Sequence, residues 1–108
     1  MNDGDYGNLT LHTDKYQINM MYGHWKHGTW NDRSVFEVHF RKLPFGNGYA
    51  VFAGLERIVD YIRSLRFGER ELQYLRTQEE GYDEGFLEAL RQFRFTGDLY
   101  AVEEGMPV

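Results

Sequence analysis

Tyr16 is the first of two side chains whose type and position suggest ligand binding. It follows Thr13-Asp14, a helix-start signal, so its ring can project outward past the end of the helix. An aromatic ring in that position can lie against a planar ligand. Helical spacing alone also suits Tyr16 as a core aromatic, and the spacing favours that interpretation over an exposed ring.

Arg41 is the second candidate, on the polar face of a predicted strand with Lys42 next to it. A guanidinium group can hold a phosphate through two parallel hydrogen bonds, which an ammonium group cannot do. Glu37 lies on the same face of that strand. The strand pattern by itself therefore favours an ion pair between Arg41 and Glu37 over a phosphate site.

The remaining chemistry-bearing residues do not form a recognisable site. Gly46-Asn47-Gly48 lacks the Lys-Ser/Thr of a phosphate-binding loop and is predicted to be a turn. His24 and His27 share a helix face without a third ligand at a zinc spacing, so no metal site is predicted. The pairs Glu79-Glu80 and Glu103-Glu104 are predicted to be solvated loop residues. No catalytic residue is assigned.

The composition excludes several classes of protein. The chain has 108 residues, a formal net charge of -5 and no cysteine, and these features argue against nucleic-acid binding, a disulfide framework and a thiolate metal site. No stretch is long and apolar enough for a membrane span, and the acidic start does not resemble a signal peptide. We therefore expect a soluble cytoplasmic protein without a membrane partner.

Aromatic residues make up 17% of the chain, which is high for a small polar domain. They can serve a core, or they can cover a surface that another subunit or further chain buries, and the composition does not separate the two.

The elements that must position these residues alternate between helical and strand periods. Residues 1–12 are predicted to form a flexible arm, and a helix is predicted over about 14–27 with Thr13 as its N-cap and Gly28 as its stop. Alternating apolar residues predict a strand over 34–40. The predicted inward stripe of the first helix is broad: Tyr16, Met20, Gly23 and His27 line it, and Met21 and Trp25 lie beside them.

The second half of the chain contains three predicted helices and a final strand. Apolar residues at helical spacing predict a helix over about 49–65, a short helix from Glu69 to Arg76, and another capped by Asp83. A strand is predicted over 96–102, followed by a turn and a returning hairpin strand beginning at Met106. The predicted inward residues are Val51, Leu55, Ile58, Ile62, Leu65, Leu72, Leu75, Phe86, Leu87, Leu90 and Phe93.

Long ordered stretches resemble the amino-terminal segment of nicotinate phosphoribosyltransferases. The likeness lies in Thr13-Asp14-Lys15-Tyr16, in the run from Phe40 to Glu56 and in the run from Phe93 to Gly105. The resemblance implies an α+β fold in which residues 13–108 are an incomplete N-terminal domain, the first part of an open-faced α/β sandwich. The family's α/β barrel domain is absent from this chain.

The resemblance also implies an activity for the complete enzyme. Such enzymes form nicotinate mononucleotide from nicotinate and 5-phosphoribosyl-1-diphosphate for NAD salvage, with ATP hydrolysis and Mg²⁺. It assigns Tyr16 to nicotinate, Arg41 to the phosphates of the donor and Asp14 to the helix start. It further implies a homodimer with shared active sites, and catalytic groups beyond residue 108. None of His12, His24, His27 and His39 inherits the family's phosphohistidine role.

Two kinds of function remain open from the sequence. The chain can be an inactive piece of the complete enzyme that binds no cofactor alone, or a stand-alone binding or assembly module that has lost catalysis. The returning strand that begins at Met106 and stops at Val108 favours the first, because a module should protect its last strand. A related enzyme that uses quinolinate or nicotinamide is a further alternative.

Overall fold

The computed structural model describes residues 8–108, and the regular secondary structure of these residues is mostly helical. Four α-helices and one turn of 3-10 helix are present, whereas the paired β-structure is limited to a single isolated bridge within the described residues. The helices are α1 (Lys15–Lys26), α2 (Leu55–Ser64), α3 (Glu69–Arg76) and α4 (Glu84–Gln92), and the 3-10 turn covers Pro44–Gly46.

The helices predicted for the core are confirmed. Helix α3 has the predicted bounds, α4 begins after Asp83, and α1 lies within the predicted range. Asp14 rather than Thr13 is the N-cap residue of α1. Its other end is closed as predicted, since Gly28 has a φ of 75° and the Thr29 amide donates to the His24 carbonyl at 2.9 Å.

Helices α1, α3 and α4 enclose the core of the described residues. Its centre is Phe86, a fully buried residue on α4. The other buried hydrophobic residues are Ile18, Phe67, Leu72, Leu75, Tyr82, Leu87 and Leu90, and half-buried Leu11, Met21, Tyr22, Trp25, Trp30 and Phe93 pack against them. Large rings supply much of the buried area, which explains part of the aromatic content.

The inward face predicted for α1 is wrong for its central residues and right for Met21 and Trp25 beside them, which are half-buried against the core. Tyr16, Met20 and His27 are exposed, and the face that packs on the core carries Ile18, Tyr22 and Trp25. Both sets recur at helical spacing, so the pattern alone does not tell which set faces the core. Among the described residues, no atom of a neighbouring element lies within 4 Å of the position that a Cβ would occupy at residue 23, so no close backbone approach explains the glycine there.

The amino-terminal segment before α1 contacts the fold from Asn8 onward. Asn8 Nδ2 donates to the Arg66 carbonyl at 3.1 Å, and buried Thr10 Oγ1 accepts from the Arg66 amide at 3.1 Å. The flexible arm predicted over residues 1–12 lies outside the described residues up to Gly7. From Asn8 to Leu11 the chain is attached to the fold.

The two predicted strands form no sheet within residues 8–108. Residues 34–40 and 96–102 have neither helix nor ladder, and all of their side chains are exposed. Val35 and Phe36, for example, are 94% and 90% exposed. A strand needs a partner for its amides and for one of its faces, and the described chain supplies none to these residues. The predicted α+β class is therefore not realised in this part of the chain.

Helix α2 begins six residues later than the predicted start at 49, because residues 50–52 pair with the end of the chain instead. Ala50 and Val108 exchange both amide bonds at 2.9 and 2.8 Å, and the Phe52 amide donates to the Met106 carbonyl at 2.8 Å. Pro107 opposes Val51 in the antiparallel bridge. That register suits proline, since the pair lies between hydrogen-bonded pairs and needs no amide from Pro107. The hairpin predicted between 96–102 and Met106 is thus wrong.

The side chain of Glu104, from a distant part of the chain, caps the N-terminus of α2. Its Oε1 accepts from the Gly54 amide at 2.7 Å and its Oε2 accepts from the Leu55 amide at 3.1 Å. Gly54, the N-cap residue, has no side chain that could do this, and its φ of 97° suits glycine. A carboxylate there also complements the helix dipole. Glu104 therefore joins the 103–105 turn to α2.

We expect Glu104→Ala to loosen α2 by about 1 kcal/mol, the usual worth of a helix cap, which is about a fivefold faster local exchange. Hydrogen exchange of the α2 amides in the 108-residue chain measures it. Glu103→Ala is the matched control, since no hydrogen bond or ion pair involves the Glu103 side chain within residues 8–108. Equal exchange in the two variants would contradict the capping role of Glu104.

Candidate functional site

Tyr16 is an exposed residue in the first turn of α1. Its side chain is 65% exposed, so the core position that helical spacing favoured is wrong for the described chain. Met20, one turn later on the same face, is also exposed. The two side chains form an apolar patch beside the start of the helix.

The first turn of α1 has no side-chain cap. The N-cap residue Asp14 makes no capping hydrogen bond through its carboxylate, although its carbonyl accepts from the Gln17 amide at 2.9 Å. Uncapped first turns fray readily, because several of their amides lack an acceptor within the helix. Something other than a local cap must hold Tyr16 in place.

A chain of polar contacts ties this turn to the loop between α3 and α4. Lys15 Nζ lies 2.9 Å from Glu80 Oε1, and Asn19 Nδ2 donates to Glu80 Oε2 at 3.1 Å. Asn19 Oδ1 in turn accepts from the hydroxyl of buried Tyr82 at 2.6 Å. Lys15 and Asn19 lie one turn apart on α1, so one carboxylate fixes both.

The charges of this cluster are mutually stabilising. The Lys15 ammonium beside it lowers the pKa of Glu80 below its ordinary value, and the carboxylate in turn raises the pKa of Lys15. Burial raises the pKa of Tyr82, so its hydroxyl stays protonated and donates at neutral pH. The Glu80 carboxylate is thus ionised and paired under physiological conditions.

These anchoring residues were missed by the sequence interpretation. Glu79-Glu80 was predicted to be a solvated pair, but Glu80 binds α1 across a separation of 61 residues. The four-residue spacing of Lys15 and Asn19 was the available local signal, and it does not identify the acceptor.

Arg41 lies on a separate part of the chain, between the exposed segment 34–40 and the 3-10 turn. It is exposed, and the ion pair with Glu37 that the pattern favoured is absent from the described residues. No hydrogen bond, ion pair or ring contact joins Arg41 to Tyr16 within residues 8–108. The structure therefore leaves both side chains open to solvent and does not bring them into contact.

Other features of the described chain add no ligand site. A shallow depression runs along Asn47, Gly48, Tyr49, Ala50 and Val51, and none of these side chains is charged. In residues 8–108 no group of three or more His, Asp or Glu side chains is placed to hold a metal ion. None of the helices in that range is long and apolar enough to cross a bilayer.

Comparison with known proteins shows the family. Residues 11–108 match the model of the nicotinate phosphoribosyltransferase (NAPRTase) N-terminal domain. Similar curated proteins are nicotinate phosphoribosyltransferase of Bacillus subtilis, 50% identical over 90% of this chain, and nicotinate phosphoribosyltransferase 2 of Arabidopsis thaliana, 39% identical over 91%. The Caenorhabditis elegans enzyme of the same name is 38% identical over 100% of the chain.

The chain belongs to the nicotinate phosphoribosyltransferase family and corresponds to the N-terminal domain of its members. It spans about a fifth of the length of the curated relatives that it matches: 20% of the Bacillus and nematode proteins and 18% of the Arabidopsis protein.

We expect Glu80→Gln to destabilise the chain at neutral pH and to lose that effect in acid. The pKa of Glu80 is lowered from 4.5 in the folded state, so its stabilisation exists above that value and disappears as the pH falls further. Urea midpoints at pH 7 and at about pH 3 measure the change.

The matched comparison for this pH dependence is Glu79→Gln, because Glu79 makes no hydrogen bond or ion pair within residues 8–108 and acts on Lys15 only through its charge at longer range. A difference between the two variants that is as large at low pH as at pH 7 would contradict an ionic role for Glu80.

Proposed function

We propose that this chain is the amino-terminal part of an enzyme that joins nicotinate to 5-phosphoribosyl-1-diphosphate, forming nicotinate mononucleotide and diphosphate in NAD salvage. The observation that carries the proposal is the match of residues 11–108 to the N-terminal domain of nicotinate phosphoribosyltransferases. The 50% identity to the Bacillus subtilis enzyme supports the same substrates. We further propose that the complete enzyme hydrolyses ATP with Mg²⁺ and that this segment alone binds neither.

In this proposal the Tyr16 ring lies against the pyridine ring of nicotinate. Its exposure on an anchored helix supports the role, since a flat aromatic face is available to a planar ligand. Exposed Met20 extends the apolar patch beyond Tyr16. We propose that a second subunit of a homodimer covers this patch and completes the site.

Arg41 is proposed to contact the phosphates of the donor. Its guanidinium is exposed and unpaired within residues 8–108, and a phosphate would accept two of its hydrogen bonds at once. Lys42 next to it adds positive charge in a chain whose net charge is -5. The anion site is therefore local, as a small phosphorylated substrate requires.

The exposed segments support the proposal that the complete protein forms an α/β sandwich. Residues 34–40 alternate apolar and polar side chains, the pattern of a strand with one covered face. Residues 99–102 are four consecutive apolar residues, the pattern of a strand that is covered on both faces. Helix α2 likewise has no buried residue although its apolar side chains recur at helical spacing. We propose that polypeptide following Val108 in the complete enzyme pairs with these segments and covers α2.

Tyr16→Ala in the complete enzyme is expected to raise the KM for nicotinate about 3- to 10-fold, the worth of one aromatic contact, while Tyr16→Phe has little effect. Steady-state kinetics with each substrate varied in turn measure this. Tyr74→Ala, on an exposed tyrosine of α3, is the matched control.

Equal KM values for nicotinate in Tyr16→Ala and Tyr16→Phe would remove the stacking role. The 108-residue chain alone serves as the blank, and mononucleotide formation by it would contradict the proposal that the catalytic groups lie elsewhere.

Arg41→Ala is expected to raise the KM for the phosphoribosyl donor about 10- to 100-fold, because a charge-assisted contact is lost, with little change in the KM for nicotinate. The KM of Arg41→Lys for the donor should lie between those of the unchanged enzyme and Arg41→Ala, since lysine retains the charge and loses the geometry for two parallel hydrogen bonds. Arg70→Ala, an exposed arginine of α3, is the control. A defect confined to nicotinate would assign Arg41 to the other substrate.

A further inference from the structure

Helix α1 can fix the direction of the Tyr16 side chain only if its first turn is stable. The group that stabilises this turn, the Glu80 carboxylate, is remote in sequence. No side-chain cap is present at Asp14, whereas Lys15 and Asn19 flank Tyr16 and share the Glu80 carboxylate. These two contacts resist both unwinding of the turn and rotation of the helix about its axis. Rotation would carry the Tyr16 ring round with the backbone.

We propose that Asn19, Glu80 and Tyr82 are positioning residues for Tyr16: the chain of contacts from Tyr82 through Asn19 to Glu80, closed by Lys15, fixes the direction of its ring. This inference rests on the proposed function. It assigns a purpose to the loop between α3 and α4 that neither the family match nor the relatives' names specify.

The hydrogen-bond roles in this chain of contacts are consistent throughout. The Tyr82 hydroxyl donates to Asn19 Oδ1 at 2.6 Å, which orients the amide so that Nδ2 donates to Glu80 Oε2 at 3.1 Å. The other oxygen, Glu80 Oε1, is removed from solvent and accepts no aligned hydrogen bond, and it forms an ion pair with the Lys15 ammonium at 2.9 Å. The lowered pKa of Glu80 keeps the carboxylate charged.

Tyr82, the buried end of this chain of contacts, is part of the core. The contacts therefore connect the exposed Tyr16 ring to a rigid part of the fold. Tyr82 packs edge-on against Tyr22 of α1, with ring centroids 5.2 Å apart, and lies 5.7 Å from Phe86. The Asp83 amide donates to the Tyr22 hydroxyl at 3.2 Å. Helix α1 is thereby attached to the same loop at its first and second turns.

The chain contains a matched control pair of charges. Arg76 Nε and Nη2 donate to the two oxygens of Glu84 at 2.9 and 3.0 Å, which joins α3 to α4. Like Glu80, Glu84 has a lowered pKa caused by the cation beside it. Its side chain makes no hydrogen bond or ion pair with α1 among the described residues. Removing Glu84 therefore tests structural destabilisation without disturbing Tyr16.

The experiment measures steady-state kinetics of the complete enzyme carrying Glu80→Ala, Glu84→Ala, Tyr16→Ala, or Glu80→Ala together with Tyr16→Ala. We expect Glu80→Ala to raise the KM for nicotinate about threefold, with the KM for the phosphoribosyl donor and kcat unchanged. Glu84→Ala should leave all three unchanged. In the Tyr16→Ala background, Glu80→Ala should have no further effect on the KM for nicotinate, since the ring that it positions is gone.

The inference is overturned if Glu80→Ala leaves the KM for nicotinate unchanged, if it raises that KM equally with and without Tyr16, or if Glu84→Ala raises it as much. The inference is also overturned if Tyr16→Ala leaves the KM for nicotinate unchanged in an active enzyme, since Tyr16 would then have no role in nicotinate binding that depends on its position. An enzyme without nicotinate turnover would instead refute the proposed function.

Two gentler variants keep the test decisive if Glu80→Ala does not fold. Tyr82→Phe removes one hydroxyl and Glu80→Gln removes one charge, and each should raise the KM for nicotinate less than Glu80→Ala does. Hydrogen exchange of the first two turns of α1 should be faster in both than in Glu84→Ala. Faster exchange with an unchanged KM would show that the contacts stabilise α1 without positioning Tyr16, and would overturn the inference.

Discussion

The packing of α1 against the Phe86 side chain is the interaction on which the rest of the structure depends. The ring centroids of Tyr22 and Trp25 on α1 lie 4.9 and 5.9 Å from that of Phe86, and that of Trp30, which follows the helix, lies 5.9 Å from it. A domain of this size has a limited core, and a cluster of rings buries much apolar area with few residues. This packing brings α1 beside the loop that carries Glu80 and Tyr82, so it also determines where Tyr16 is presented.

The described chain consists of a packed helical part and segments whose apolar side chains are exposed or only half-buried. The helical part comprises α1, α3 and α4, whereas residues 34–40, helix α2 and residues 96–102 have no buried residue. The antiparallel contact between residues 50–52 and 105–108 and the Glu104 cap on α2 connect the end of the chain to α2 and to the segment before it. The aromatic content therefore serves both purposes that the composition allowed: part of it forms the core, and part lies on the surface.

Two glutamates illustrate how tertiary contacts assign roles that local sequence does not. Glu80 and Glu104 each stand in an acidic pair in a loop, and such pairs are usually solvated. Glu80 binds two side chains of α1, and Glu104 binds two backbone amides at the start of α2. Their neighbours Glu79 and Glu103 have no side-chain hydrogen bonds in residues 8–108. Adjacent residues of one type thus differ in role because only one of each pair faces donors for its carboxylate.

The sequence by itself determined the family, the bounds of α3, the existence of α1 and α4, and the buried faces of the last two helices. Those features depend on local spacing and on long ordered likeness, which a linear chain displays directly. The tertiary structure decided which of two apolar stripes of α1 is buried, where α2 begins, and which segment pairs with Met106. Each of these depends on contacts between residues far apart in the chain: Ile18 rather than Tyr16 is buried because of how α1 packs against Phe86 of α4. Tyr16 is left exposed because Ile18, Tyr22 and Trp25 occupy the face toward the core, and the Glu80 carboxylate that binds the same helix lies 61 residues beyond Asn19.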